Sequence, residues 1–347
     1  MNLKKLIAII AVIGVFIAAI VSFYIYKKAF TPNTAFNQQE VFIYVPTNST
    51  YDQVTELVKP LIKDIEKFDF VAKKRNYATN VISGKFLIQK NMSSFDIVRA
   101  LKRNVPVKIA FNNQETIEKL AQRLASQVEP DSLTLIQAFT NKNFMQENGF
   151  NQETILALFI PNTYEFYWNT TATKIASKMV DEYTKFWNQD RLNKAKKINL
   201  TPIQVAVLAS IVHKETSKVD ERPTIAGVYL NRLAQNMPLQ ADPTVIFAMK
   251  KASGNFDQII KRVFSKDTQG TKSPYNTYIN TGLPPGLITM PDISAIDAVL
   301  NAQKHNYIYF CASTEKMGYH NFAATYQEHQ VNAKKYANWV NKLGINR

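Results

Sequence analysis

An α+β protein carrying one membrane-spanning helix is what this sequence predicts, and three observations predict it. Residues 6–25 form an unbroken apolar, small or aromatic run, interrupted only by Gly14 and Ser22 and flanked by Lys4, Lys5, Lys27 and Lys28. Between about residues 40 and 111, short β-like runs alternate with segments of helical period. Beyond residue 150 the chain turns to longer helices with a few short strand-like runs. The expected order is therefore an N-terminal transmembrane helix, a small α+β module and a larger mixed α/β domain.

Twenty apolar residues cross a hydrocarbon core of about 30 Å as a helix. The run is long for a secretory signal and no small-x-small cleavage pattern follows it, so it reads as an uncleaved anchor. Residues 1–28 are assigned to a cytoplasmic tip and this anchor, single-pass, and 29–39 to a short polar tether. Lysines on both sides specify orientation weakly, and the free amino terminus tips the N-terminus to the cytoplasmic side. The remainder is then extracytoplasmic.

Residues 40–104 form the small module. Residues 40–46 (E-V-F-I-Y-V-P) are strand-like. A helix follows over 51–68 on the period of Val54, Leu57, Val58, Leu61, Ile62 and Ile65, with caps at 48–50 and a kink at Pro60. A second strand lies within 80–89 around Gly84-Lys85-Phe86. Ser93 and Asp96 then have capping-box spacing for a short helix with Ile97, Val98 and Leu101 inward. Residues 105–149 connect onward, with a strand over 105–111 and an amphipathic helix over 116–126.

Residues 150–347 form the larger domain. Helices are expected over 172–187, 200–216 and 224–234. In Gln240-Ala241-Asp242-Pro243-Thr244-Val245, Asp242 reads as an N-cap before a proline. Residues 253–272 are polar and read as a mobile excursion. Residues 275–286 (Y-N-T-Y-I-N-T-G-L-P-P-G) form an aromatic, turn-rich loop. A strand over 307–312 and a closing helix over 323–343 complete the chain.

Composition narrows the function. The 347 residues are 46% hydrophobic and 12% aromatic, those of a folded protein. A net charge of +15 points to an acidic partner: nucleic acid, a membrane surface or an anionic polymer. Placement outside the cytoplasm argues against nucleic acid. Cys311, the one cysteine, excludes an internal disulfide and reads as a small buried hydrophobe. His213, His305, His320 and His329 have no metal-ligand spacing, and neither a G-x-S-x-G elbow nor a phosphate-binding glycine loop occurs. No metal and no cofactor are expected.

Carboxylates remain. Thr201-Pro202 opens a helix as N-cap and first residue, and Leu208, Ile211, Val212 and Glu215 follow at i, i+3, i+4 and i+7. A glutamate continuing an apolar stripe loses hydration, so its pKa rises and it can serve as a general acid. The competing reading is a rim residue paired with a lysine. Glycoside cleavage ordinarily adds a second carboxylate, for which Asp220, Glu221 and Asp242 are candidates. Asp220 and Glu221, however, lie in a polar S-K-V-D-E-R stretch that reads as a solvated helix end. A single glutamate can also suffice. It protonates the glycosidic oxygen and then takes a proton from a hydroxyl of the same sugar, which attacks intramolecularly.

Residues 209–216 (A-S-I-V-H-K-E-T), Asn231-Arg232-Leu233, residues 239–245, Tyr275-Asn276-Thr277-Tyr278 and residues 281–286 resemble, in order and spacing, the YceG-like (MltG-type) endolytic murein transglycosylases. The likeness extends to residues 159–164 and to His320-Asn321-Phe322. It implies an inner-membrane anchor, a LysM-like module at 40–104 and a YceG-like catalytic domain facing the cell wall. The LysM-like label rests on strand–helix–helix–strand order, Gly84-Lys85-Phe86 and residues 93–101, and a plain spacer is its alternative. The implied reaction cuts nascent peptidoglycan strands between MurNAc and GlcNAc, leaves 1,6-anhydro-MurNAc ends and terminates elongation. Relatives often read E-K-E where this chain has His213-Lys214-Glu215, so the catalytic role carries over to Glu215. Gln240, Tyr275, Asn276, Thr281 and His320 match positions that line the glycan cleft or serve as turns, caps and loop packing. Glycan strands are the implied partner, with peptidoglycan synthases as further candidates. A muramidase-type hydrolase and a non-catalytic wall-binding scaffold are the alternatives.

Overall fold

The computed structural model describes residues 3–342, which fall into two compact units. The first comprises residues up to Ile109 together with Gln127–Pro130 and Tyr164–Thr171; the second holds the rest, so residues 105–149 are divided between the two.

The first unit begins with α1 (Leu3–Ala29), apolar and long enough to cross a bilayer. Strands β1 (Glu40–Val45) and β2 (Gly84–Gln89) pair antiparallel, from Glu40 opposite Gln89 to Val45 opposite Gly84. Alternation buries Ile43, Val45, Phe86 and Ile88. They pack against Val54 and Val58 of α2 (Tyr51–Val58), Phe68 and Val71 of α3 (Ile65–Lys74), and Ile97 and Val98 of α4 (Ser94–Ala100). Ser93 caps α4 in a reciprocal box with Asp96. β3 (Pro106–Phe111) follows.

Two expectations change here. Pro60 does not kink one helix over 51–68. The α-helix stops at Val58, one 3₁₀ turn runs Lys59–Leu61, and a separate helix starts at Ile65. A proline donates no backbone hydrogen bond, and Asp64 supplies a new N-cap by accepting from Lys67 N at 3.2 Å. Nor is 29–39 a loose tether. Asn33 is fully buried, its amide donating to Asp64 O at 2.7 Å and Ser94 Oγ at 3.0 Å. Asn33 N donates to Met92 O at 2.8 Å and Ala35 N to Leu61 O at 2.8 Å, so the segment is woven into the unit.

The second unit opens with α5 (Ile117–Ala125), α6 (Ser132–Phe139) and α7 (Lys142–Glu147); β4 (Asn162–Tyr167), most of which belongs to the first unit, follows in the chain and pairs with β3. Next come α8 (Ala172–Phe186), α9 (Gln189–Lys197), α10 (Pro202–Glu215), α11 (Arg222–Ala234) and α12 (Asp242–Ser253). The 253–272 stretch, expected as a mobile excursion, contains α13 (Ser265–Gly270). It is followed by α14 (Ile293–Leu300), β5 (Tyr309–Ala312), β6 (His320–Ala323) and α15 (Tyr326–Lys342). The last helix starts three residues later than expected because Ala323 pairs with Tyr309 in the β5–β6 ladder; Leu343 lies outside the described residues.

Helix α10 is the axis of this unit. Thr201 and Gln204 form a capping box at its start, with Pro202 in the first turn. All eight residues Val205 to Val212 are buried, so the helix is enclosed on every side rather than along one stripe. Ile225, Tyr229, Val245, Ile296 and Val299 from α11, α12 and α14 are buried around it. Ser210 Oγ donates to Val207 O at 2.6 Å and accepts from Ile288 N at 3.2 Å, tying the 281–290 loop to the helix. The enclosure ends at the last turn, where Glu215 reaches a cavity.

Candidate active site

That cavity, about 440 Å³, lies in the second unit and is lined by Glu215, Arg232, Gln240, Asp242, Tyr278 and His320 among others. Glu215 is the last residue of α10, and Thr216 is already extended. The carboxyl belongs to a half-buried residue between the core that holds Ile211, Val212 and Tyr229 and the polar lining of the cavity. Tyr229, fully buried on α11, donates its phenol to Glu215 Oε1 at 2.6 Å. Burial pushes the Glu215 carboxyl up to about 7, against the Tyr229 hydrogen bond, with Asp242 adding to the rise and Arg232 opposing it. Burial also raises the Tyr229 phenol well above its ordinary range, so it stays a donor. With Oε1 accepting from Tyr229, the acidic proton belongs on Oε2. Near neutral pH the group can give a proton up and, once ionised, take one back.

Arg232 fixes the wall beside it. Its guanidinium donates to Ile308 O at 2.6 Å, Leu239 O at 2.9 Å and Gln240 Oε1 at 3.2 Å. Gln240 itself is left-handed, at φ 50°, and its N–H donates to Thr277 O at 3.0 Å. These contacts hold its side chain at the cavity.

The sequence-based candidates separate. Glu215, Gln240 and His320 share the cavity, whereas Tyr275, Asn276 and Thr281 are not among its lining residues. Tyr275 is buried, its phenol donating to Glu153 Oε2 at 2.5 Å and its ring against Phe247. Asn276 is fully buried and donates to Thr268 O at 2.8 Å and Thr271 O at 2.9 Å. Thr281 is exposed and bridges to Pro238. Glycine at 286 is required for packing, since a Cβ there would collide with the Glu153 backbone. These residues shape the loop.

Three readings of single residues are corrected. Asp242 is not an N-cap: α12 is preceded by Ala241, and Asp242 accepts instead from the Tyr278 phenol at 2.6 Å. Glu221 is not solvated. It is 5% exposed, accepting from His320 N at 2.6 Å through Oε1 and lying 2.9 Å from His320 Nδ1 through Oε2. Cys311 is half-exposed and lines the cavity rather than being buried. Burial raises its thiol pKa.

Sequence reasoning missed Tyr229, Tyr278 and His329. The spacing from Tyr229 to Glu215 is fourteen positions, across a turn between helices, so no single-helix period connects them. His213 faces away from this chemistry. Its Nδ1 is 3.3 Å from Asp292 Oδ2, and Asp292 also binds Arg222 Nη1 at 2.7 Å.

A second cavity, about 560 Å³, opens beside Glu115, Lys119, Lys214 and Lys250. There Glu115 is bonded by Lys214 at 2.6 Å and Lys250 at 2.9 Å. Burial alone would raise its pKa, but the two ammonium groups outweigh it and lower it, so it is no proton donor near neutral pH.

A YceG-like family model matches residues 43–335. Over 340 residues the chain is 29% identical to the endolytic murein transglycosylase of Streptococcus pneumoniae (strain D39), covering 88% of this chain and 60% of that protein. The chain thus spans about 60% of the length of this relative. It is 26% identical over 335 residues to the endolytic murein transglycosylase of Bacillus subtilis, covering 91% of this chain and 90% of the relative. The crystal structure of a yceG-like protein from Listeria monocytogenes superposes with a TM-score of 0.56 at 25% identity, over 85% of this chain and 99% of the other. With a family match over well more than half its residues, around a cavity that holds a protonatable glutamate, the chain belongs to the YceG-like family.

Proposed function

We propose that this chain is a membrane-anchored endolytic murein transglycosylase. It cuts peptidoglycan strands between MurNAc and GlcNAc and leaves 1,6-anhydro-MurNAc ends, which terminates strand elongation. The observation that carries the reading is Glu215, a desolvated acid on the wall of an open cavity with one oxygen bonded by Tyr229. Its Oε2 proton passes to the glycosidic oxygen as the C1–O bond breaks. The resulting carboxylate, held by Tyr229, removes a proton from the C6 hydroxyl, whose oxygen closes on C1. The nucleophile is part of the substrate, so proximity replaces an external water. Names borne by relatives support the same reaction.

Gln240 and His320 contact the glycan directly. Tyr275, Asn276 and Thr281 act through the loop that they fix. The N-terminal helix spans the inner membrane with its N-terminus cytoplasmic, which leaves the cavity on the wall side. Residues 40–104 act as a LysM-like module toward glycan, consistent with their strand–helix–helix–strand order. Peptidoglycan synthases, which make the substrate, are the protein partners in this reading.

Mass spectrometry of products from uncrosslinked glycan strands tests the proposal. Anhydro ends are expected from the wild-type chain and none from Glu215→Gln. Reducing ends would indicate a hydrolase, and strand binding without products would indicate a scaffold.

A further inference from the structure

The cavity holds a second carboxylate in the opposite electrostatic setting. Glu215 occupies the last turn of the 14-residue α10, where the helix dipole is negative and disfavours a charged carboxylate. Asp242 is the first residue of the 12-residue α12, where the dipole is positive and favours one. Both line the cavity, Glu215 half-buried at the edge of the core and Asp242 exposed. The Tyr278 phenol donates to Asp242 Oδ1 at 2.6 Å, a hydrogen bond that stabilises the ionised form. No ion pair to Asp242 occurs among the described residues, so its charge is not neutralised by a neighbour. A hydrogen-bonded, solvent-reached carboxylate on the wall of the same cavity as a desolvated acid is the arrangement of an acid working beside an anion.

We propose that Asp242 is a catalytic residue of this site: an ionised carboxylate facing the sugar carbon that turns positive as Glu215 gives up its proton. The inference rests on the transglycosylase reading and adds a second charge to it. As Glu215 Oε2–H protonates the glycosidic oxygen, the C1–O electron pair leaves with that oxygen and positive charge spreads over C1 and the ring oxygen. Asp242 stabilises this cation without bonding to it. Glu215 then takes the C6 hydroxyl proton and O6 bonds to C1, so protons and electrons balance with no water consumed. Asp242 ends the cycle as it began. Its charge has a second effect, since a neighbouring anion disfavours ionisation of Glu215 and helps to keep the acid loaded.

The other polar groups around the two carboxyls do not fill this role. Tyr229 is committed to Glu215, Tyr278 to Asp242, and Arg232 to backbone carbonyls and Gln240. His320 is bound to Glu221, and burial together with Arg232 lowers the pKa of His329, which leaves it neutral.

The test uses the full chain in phosphatidylglycerol nanodiscs with uncrosslinked glycan strands, comparing wild type, Asp242→Asn, Tyr278→Phe and Glu215→Gln. Asp242→Asn should lower kcat by about 100-fold with KM within about threefold, as expected when a charge acts only in the transition state. Its remaining activity should show an alkaline limb shifted to lower pH, because the neighbouring anion is gone. Tyr278→Phe, which removes the hydrogen bond to the Asp242 carboxylate, should lower kcat in the same direction by a smaller factor. Asp242→Asn turnover within about threefold of wild type, or a kcat loss accompanied by lost strand binding and a lowered melting temperature, would overturn the inference. Anhydro-ended products from the wild-type chain keep such a failure separate from failure of the transglycosylase reading, which reducing ends alone would sink.

Discussion

Glu221 grips His320 with both carboxylate oxygens, one on the backbone N–H at 2.6 Å and one at the ring Nδ1 at 2.9 Å. The two residues are 99 positions apart, on the threshold of α11 and at the start of β6. With Nδ1 occupied, the ring is fixed in orientation, nearly perpendicular to that of Phe310 with the ring centres 5.1 Å apart. Glu221→Ala should therefore behave as loss of positioning. It leaves a backbone donor and a ring nitrogen unpaired at the cavity and should raise KM for glycan strands by about tenfold, or ~1.4 kcal/mol, with a smaller change in kcat. Steady-state kinetics would show it, and an unchanged KM would count against a glycan contact by His320.

The pH profile follows from Glu215. As the proton donor it must be protonated, so kcat/KM should fall on the alkaline side with a midpoint near the carboxyl's value of about 7. The Tyr229 hydrogen bond favours the ionised form, so Tyr229→Phe should move that limb upward while lowering kcat. A rate profile flat from pH 6 to 8.5 would contradict the assignment.

Stability carries the same signature with a definite sign. The Glu215 carboxyl is raised from 4.5 to about 7 on folding, so between those values the native state binds the extra proton. Its stabilising share is complete below about 4.5 and is lost as pH rises through about 7. Glu215→Gln, which keeps an acceptor for Tyr229, should gain on wild type with rising pH, by on the order of 3 kcal/mol at most. Denaturant melts of both chains at pH 5 and pH 8 provide the comparison.

Asp292 holds the last turn of α10 to its neighbours. It caps α14, meets His213 of α10 at 3.3 Å, and pairs with the buried Arg222 of α11 at 2.7 Å. Burial would raise its pKa, but hydrogen bonds from His213, Arg222, Ser294 and Ala295 N–H outweigh that and hold it well below the usual carboxylate range. The pair's contribution is thus intact at neutral pH and is lost only in strong acid. Asp292→Ala strands a buried guanidinium and should cost about 3 kcal/mol in urea unfolding. A loss below about 0.5 kcal/mol would place this pair with ordinary surface ion pairs.

Gly286 tests whether the paired-proline loop is structural. A methyl group there meets the Glu153 backbone, which cannot withdraw as a side-chain tip would. Gly286→Ala should lower the melting temperature and impair turnover together, whereas Pro285, exposed in the same loop, should tolerate alanine with little change in either.

Local chemistry decided what could be read from the sequence alone. The Thr201–Gln204 box, Pro202 and the apolar run through Val212 are neighbours in the chain, so α10 was legible. The same local logic misassigned Asp242, because Asp-Pro before an apolar run looks like a cap until Tyr278, 36 positions away, claims the carboxylate. Glu221 was hidden for a like reason, since its polar neighbours suggest solvent and its true partner lies across the unit. Tyr275 and Asn276 carry a family likeness, yet resemblance does not distinguish a residue that touches the cavity from one that shapes its rim.

The stitching of Asn33 into the first unit has a mechanical consequence. A 27-residue helix is roughly 40 Å long, more than a bilayer's hydrocarbon thickness, and such helices lean to match it. Ala29 is buried in the unit's core and Tyr24 lies edge-on to Phe70 at 6.4 Å, so the end of α1 is packed into the unit with no swivel between them. With α1 as the proposed anchor, the lean of the helix is the lean of the first unit, and a thinner or thicker bilayer would re-aim it like a mast stepped rigidly in a hull.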